Sequence, residues 1–115
     1  QKVFILGHIG RSGLDVDYDE ILIHARELGK CIEINNHSLM GSRRASSYPR
    51  CRAIAERCAE LGVNIVTSSD AHISYSVGDF GAAESLLDEV HVPEELVITR
   101  SKEAFLSALD AALGA

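Results

Sequence analysis

The chain alternates between short apolar runs and amphipathic segments along its length, and this alternation constrains the fold more than any other feature. Apolar runs at 3–8, 31–35 and 64–68 predict buried strands, and a shorter fourth strand is predicted at 96–99. Strands that alternate with helices usually pair in parallel, because each crossover returns the chain to the same end of the sheet. We therefore expect an α/β fold of parallel βα units, either about half of a β/α barrel or one small open sheet.

The segments between the strands predict four helices. The first spans 18–28, the second has Pro49 in its first turn and ends at Leu61, and the third spans about 80–89. Ser101 is a good N-cap for the fourth helix. The positions expected to face the core are Ile21, Ala25 and Leu28, then Ile54, Cys58 and Leu61, then Phe105, Leu109 and Ala112.

Composition narrows the class of protein. The 115 residues suffice for one domain with a real core, and 46% of them are apolar. The net charge of −6 argues against electrostatic binding of nucleic acid over a broad surface. No apolar stretch approaches the length of a membrane span. The three cysteines lack the CxxC spacing of a zinc site, which favours reduced thiols in a cytoplasmic protein. We expect a cytoplasmic protein with neither a membrane nor a nucleic acid as its partner.

Residues that can bind a metal follow two of the predicted strands. Asp70 and His72 come after the 64–68 strand and share one face if the strand continues, and His8 closes the 3–8 run. A carboxylate and imidazoles that converge at the carboxyl ends of strands commonly hold a catalytic metal. Each also has a structural interpretation: His8 as a hydrogen-bonded residue where strand meets loop, Asp70 as a turn cap, and His72 as a solvated side chain.

The remaining polar residues at this end of the predicted sheet leave alternatives open. Glu33 lies between two isoleucines in a strand, so it is either a ligand or a structural carboxylate that accepts hydrogen bonds. Arg43 and Arg44 have the chemistry to grip a phosphate, although arginines in a polar loop are commonly just exposed. The Gly10–Gly13 loop, which contains Arg11, is too short a glycine pattern to indicate a P-loop.

Four segments, in order, resemble the polymerase and histidinol phosphatase (PHP) superfamily, most closely its small bacterial phosphatase branch. They read GHIG at 7–10, IEINN at 32–36 with Ser42-Arg43, SDAH at 69–72, and GDF at 78–80. The resemblance implies a distorted seven-stranded (β/α)7 TIM-like barrel with a trinuclear metal centre at the carboxyl ends of the strands. It also implies hydrolysis of small phosphate esters with zinc, manganese or iron.

Roles for individual residues follow from the same resemblance. His8, Asp70 and His72 correspond to metal ligands distributed around the cluster. Arg43 would contact the phosphate of a small phosphorylated substrate, and in the intact protein Arg11, Arg43 or Arg44 would orient that phosphate. Glu33 matches a characteristic acidic residue of the superfamily that is not expected to be a ligand.

The sequence also departs from the superfamily pattern. The opening HxH motif, a later histidine pair, a bridging glutamate and a further histidine have no counterpart here, so residues 1–115 resemble the C-terminal portion of a PHP domain. We expect this portion by itself to be inactive and to hold no metal cluster. Its open sheet edges favour self-association or pairing with the missing N-terminal half. Two other functions remain open, a non-catalytic PHP-derived interaction module and an amidohydrolase-like metal-dependent C–N hydrolase.

Overall fold

A parallel three-stranded sheet organises the chain, in a computed structural model that describes residues 3–10 and 16–114. Its strands are β1 (Ile5–Leu6), β2 (Cys31–Asn35) and β3 (Asn64–Ser68), in the order β1-β2-β3. Ile5 lies opposite Cys31, and Cys31 lies opposite Asn64. The α/β class and the parallel pairing are therefore as predicted, although β1 is shorter than the apolar run at 3–8.

Four α-helices flank the sheet in the part of the chain that the structure describes, as predicted. They are α1 (Tyr18–Glu27), α2 (Arg44–Leu61), α3 (Gly81–Glu89) and α4 (Lys102–Leu113). Short 3-10 turns connect them to the strands at His37–Leu39, Gly41–Arg43, Ser74–Ser76, Glu94–Leu96 and Ile98–Arg100. No helix in the described residues is long and apolar enough to cross a membrane.

The two faces of the sheet belong to different cores. Ile32, Ile34 and Ile65 pack with buried residues of α1, α2 and α3. Cys31 and Val66 point to the opposite face, since side chains alternate along a strand. There they pack with Phe4, Ile98 and the inner side of α4, the aromatic pair being Phe4 and Phe105 with ring centroids 5.7 Å apart. Glu33, Asn35 and Ser68 continue this second face toward the carboxyl ends of the strands.

The helix faces largely agree with the sequence patterns. In α2, Ile54 and Cys58 are buried and Leu61 packs against the same core. In α4, Phe105, Leu109 and Ala112 face the second core, and the Ser101 hydroxyl accepts a hydrogen bond from the Ala104 amide (3.0 Å). All three cysteines are buried thiols, and none forms a disulfide within the described residues.

The predicted face of α1 is wrong in two positions. Leu22 and Ala25 are the buried residues, Ile21 is only partly covered, and Leu28 is 60% exposed. Leu28 follows the last helical residue, where the chain turns through Gly29 with a positive φ of 68°. Its side chain therefore does not point toward the core against which α1 packs.

The start of α2 also differs from the prediction. The helix begins at Arg44, directly after the 3-10 turn Gly41–Arg43, and Pro49 lies inside it. Proline lacks an amide hydrogen, so the Ala45 carbonyl loses its helical partner. Ala45 is exposed, which lets water take that place at low cost.

The predicted fourth strand at 96–99 is wrong. Only Val97 forms a parallel bridge, to Ile65, and 3-10 turns lie on both sides of it. Two side chains account for this. The Thr99 hydroxyl, rather than a backbone carbonyl, accepts the hydrogen bond of the Thr67 amide (3.0 Å). The Arg100 guanidinium donates to the carbonyls of Glu94 (3.3 Å), Glu95 (3.0 Å) and Val97 (3.1 Å), which holds this segment in a turn.

Candidate functional site

The predicted ligand residues lie together at one end of the sheet, where the three parallel strands have their carboxyl ends. His8 follows β1, whereas Asp70 and His72 follow β3. Side chains of β2 connect the two outer positions by hydrogen bonds. The predicted placement of these three residues at one end of the sheet is therefore confirmed.

Glu33 on the central strand is the hub of these hydrogen bonds. Its Oε1 accepts from the backbone amide of His8 (2.7 Å) and from the Asn35 Nδ2 (3.3 Å). Its Oε2 accepts from the Ser68 hydroxyl (2.5 Å). Of the two roles left open for Glu33, this geometry favours the structural carboxylate.

Asn35 extends the network to the next candidate ligand. Its Nδ2 donates to the Asp70 Oδ2 (3.1 Å), and its Oδ1 accepts from the Ser38 amide (3.0 Å). Asn35 is almost fully buried, with 2% of its surface exposed, so its side chain has little freedom to rotate. The Asp70 carboxylate is therefore held by a rigid partner. Sequence analysis missed Asn35 because an asparagine at a strand end is also an ordinary turn residue.

The backbone at two of the candidate ligands is in the left-handed region. His8 has a φ of 31° and Asp70 a φ of 46°. Residues with a side chain rarely adopt such angles, and the cost is about 1–3 kcal/mol for each unless the surroundings enforce them. Strain of this kind concentrates where a side chain must be aimed in a specific direction.

The hydrogen bond of His72 determines its tautomer. Its Nδ1 lies 2.9 Å from the backbone carbonyl of Asp70. A carbonyl only accepts hydrogen bonds, so Nδ1 carries the proton and Nε2 carries the lone pair of the neutral ring. That is the tautomer in which an imidazole binds a metal through Nε2. The ring also packs against His37, with centroids 4.4 Å apart and planes tilted by 30°.

A surface groove of about 400 Å³ lies beside these histidines. Its lining includes His37, His72 and Arg43. The Arg43 side chain is exposed and makes no hydrogen bond or ion pair with any described residue. Arg44, by contrast, donates to the Leu39 carbonyl (3.2 Å) and lies over the Tyr48 ring, which gives it a structural role. Arg11 lies outside the described residues.

The side chains at this end of the sheet are of the types that bind divalent metals, but too few of them lie together to form a complete site. Imidazole nitrogen and carboxylate oxygen are ligands of zinc, manganese and iron, and a zinc site uses three or four of them. Within residues 3–10 and 16–114, no three histidine, cysteine or acidic side chains cluster closely enough to hold an ion. A complete metal centre therefore needs donors from outside the described residues.

No protein-family model matches the chain. It is similar to proteins named "Probable phosphatase" in several organisms. It is 39% identical over 110 residues to one from Clostridium acetobutylicum, covering 96% of this chain and 45% of that protein. Identity is 38% over 108 residues to one from Aliivibrio fischeri (94% and 44% covered), and 44% over 99 residues to one from Caldanaerobacter subterraneus (86% and 39% covered). The chain thus spans less than half the length of these relatives.

Proposed function

We propose that this chain is the C-terminal portion of a metal-dependent PHP phosphoesterase that hydrolyses a small phosphate monoester. The observation that carries the proposal is the placement of His8, Asp70 and His72 at adjacent carboxyl ends of parallel strands. The similarity to proteins named probable phosphatases supports the same reaction class. Buried cysteines that form no disulfide within the described residues support a reducing compartment such as the cytoplasm.

In this proposal His8, Asp70 and His72 would hold part of a trinuclear centre of zinc, manganese or iron. The other donors would come from the longer protein, because the described residues do not complete a site. Bound divalent ions would supply an activated water and offset the negative charge on the phosphoryl oxygens.

The chain's own residues prepare this site for an anionic substrate. The Asp70 carbonyl keeps the His72 proton on Nδ1 and so leaves the Nε2 lone pair for a metal. Asn35 fixes one oxygen of the Asp70 carboxylate. Arg43 lines the adjacent groove and would hold phosphate oxygens by charge-assisted hydrogen bonds. Such local cations matter in a chain whose net charge is −6.

A non-catalytic interaction module is the second candidate. It is favoured by the incomplete donor set of the described residues. A module of this kind would need neither the lone pair of His72 nor the strained backbone at His8 and Asp70. Metal content and hydrolysis therefore separate the two candidates.

The test measures metal content and p-nitrophenyl phosphate hydrolysis in the full-length protein and in the 115-residue chain. We expect trinuclear metal and activity in the full-length protein, and at most one ion and no activity in the shorter chain. His72→Ala should abolish hydrolysis in the full-length protein. His24→Ala is the matched control, because this exposed histidine lies on α1 and pairs only with Glu27 among the described residues. A full-length protein without metal and without hydrolysis would refute the proposal.

A further inference from the structure

Glu33 is a carboxylate at the site that the proposed reaction does not use. It lies on the central strand β2. One of its oxygens binds a group just after β1, and the other binds a group in the last residue of β3. Oε1 accepts from the His8 amide beyond β1 (2.7 Å), and Oε2 accepts from the Ser68 hydroxyl at the end of β3 (2.5 Å). This carboxylate therefore links the carboxyl ends of the three parallel strands, in addition to the backbone hydrogen bonds of the sheet.

The same carboxylate reaches both outer candidate ligands. It contacts His8 directly through the backbone amide, and it contacts Asp70 through Asn35, whose Nδ2 lies 3.3 Å from Glu33 Oε1 and 3.1 Å from Asp70 Oδ2. Hydrogen bonds to an ionised carboxylate are shorter and stronger than neutral ones. This network supplies the external support that the left-handed backbone of His8 requires.

The contacts also argue against Glu33 as a ligand. Oε1 already accepts two hydrogen bonds and Oε2 accepts one. Both lone pairs of Oε1 are taken, so a metal bound there would have to displace a donor, and a metal bound to Oε2 would share that oxygen with the Ser68 hydroxyl. The carboxylate is therefore better suited to orienting its neighbours than to coordination.

We propose that Glu33 is the positioning residue of this site, and that its carboxylate determines where the His8 imidazole and the Asp70 carboxylate lie. The inference rests on the function proposed above for these two residues. Residues that hydrogen-bond to metal ligands in this way orient them and tune the affinity for the metal.

Three variants of the full-length protein test this inference. Glu33→Ala removes the carboxylate. Glu33→Gln keeps its reach and one acceptor oxygen, and the Ser68 hydroxyl can accept from the new amide. Glu56→Ala is the control, since Glu56 is on α2 and pairs with Arg52 (2.9 Å). If Glu33→Ala does not fold, Ser68→Ala replaces it, because it removes only one of the three hydrogen bonds.

The first measurement needs no metal. In the metal-free protein we expect the His8 amide proton to shift upfield in Glu33→Ala and its exchange with solvent to accelerate, because its acceptor is lost. Glu33→Gln should give a smaller shift, and Glu56→Ala none. An unchanged His8 amide in Glu33→Ala would overturn the inference whatever the protein catalyses.

The second measurement is Co²⁺ affinity, followed by its visible absorption spectrum, together with kcat and KM for p-nitrophenyl phosphate. We expect Glu33→Ala to weaken Co²⁺ binding by at least ~10-fold and to lower kcat with little change in KM. Glu33→Gln should restore most of the affinity, and Ser68→Ala should give a smaller loss in the same direction. Equal damage by Glu33→Gln and Glu33→Ala would overturn the positioning role in favour of a ligand, and unchanged Co²⁺ affinity would reduce Glu33 to a structural residue.

These outcomes distinguish failure of the inference from failure of the proposed function. A wild-type protein that neither binds Co²⁺ nor hydrolyses the ester refutes the proposed function, and the metal-positioning role with it. The His8 amide measurement still shows in that case whether Glu33 holds the strand end.

Discussion

At the scale of single residues, hydrogen-bond partners separate functional candidates that look alike in the sequence. Arg43 and Arg44 are adjacent, yet Arg44 is bound to the Leu39 carbonyl and the Tyr48 ring while Arg43 lines the groove beside His72. Likewise, Glu33 and Asp70 are both acidic, Glu33 within β2 and Asp70 just after β3. Glu33 accepts hydrogen bonds from one backbone amide and two side chains, whereas Asp70 follows its strand in a left-handed backbone conformation.

The exposure of Arg43 leads to a kinetic prediction. If Arg43 contacts the phosphate, Arg43→Ala in the full-length protein should raise KM or lower kcat by at least ~10-fold, the scale of one charge-assisted hydrogen bond. Steady-state hydrolysis of p-nitrophenyl phosphate measures this. Arg50→Ala on α2 is the charge-matched control and should leave both parameters unchanged. Unchanged kinetics in Arg43→Ala would show that Arg43 is only a solvated surface residue.

At the scale of secondary-structure elements, buried amides position one element against another. Asn36 is 1% exposed, and its Oδ1 accepts from the Ala83 amide in the first turn of α3 (2.9 Å). The N-cap residue Phe80 makes no side-chain capping bond. The start of α3 is therefore capped by a residue that follows β2, which ties the helix to the end of the sheet where the candidate site lies.

This long-range cap predicts a loss of stability. Asn36→Ala leaves the Ala83 amide buried without its acceptor, so we expect the free energy of unfolding to fall by about 1–3 kcal/mol. Urea denaturation followed by circular dichroism measures the change. Ser101→Ala removes the local cap of α4 and provides the comparison. Wild-type stability in Asn36→Ala would mean that the cap contributes nothing to the fold.

At the scale of the whole molecule, the sheet is covered unevenly. Within the described residues β1 pairs only with β2, and Val3 (38%), Ile5 (38%) and Leu28 (60%) are exposed near that side. An unpaired strand edge beside apolar side chains is a site where another chain can add.

We accordingly predict that the 115-residue chain self-associates, or pairs with the rest of the longer protein when both are present. Sedimentation velocity over a range of concentrations measures this. Ile5→Lys places a charge at the β1 edge and should shift the distribution toward monomer. A sharp monomer at high concentration for the wild-type chain would contradict the prediction.

Buried thiols make the stability of the whole molecule sensitive to alkaline pH. Burial raises the pKa of Cys31 to about 11 and that of Cys58 to about 12, from a reference value of 9.0. Well below pH 9 both thiols are neutral whether the chain is folded or unfolded. As the pH rises above 9, the unfolded chain releases these protons first, so the folded state loses stability.

We therefore expect the midpoint of thermal unfolding to fall between pH 8 and pH 10.5, and we expect a smaller fall in Cys58→Ala. Differential scanning calorimetry in buffers of equal ionic strength measures both. Cys58→Ala also lowers stability at pH 8, so the slope with pH, rather than the midpoint itself, is compared. Identical slopes for the two proteins would contradict the contribution of Cys58.

The sequence by itself determined the α/β class, β2 and β3, the approximate extents of α1, α3 and α4, and the end of the sheet at which His8, Asp70 and His72 lie. These properties follow from local periodicity and from the rule that parallel strands end at the same edge. The sequence also predicted the cap of α4, because Ser101 and Ala104 are only three residues apart.

Only the tertiary structure decided the features that depend on contacts between distant residues. The fourth strand reduces to a single bridge because Thr99 and Arg100 hold their segment in turns. Leu22 is buried in the core that it shares with Ile32, whereas Leu28 lies beyond the last helical residue of α1 and is exposed. The Glu33 network joins residues 25 and 35 positions apart. Hydrogen bonds of this range leave no periodic pattern in the sequence, since they exist only after the strands have paired.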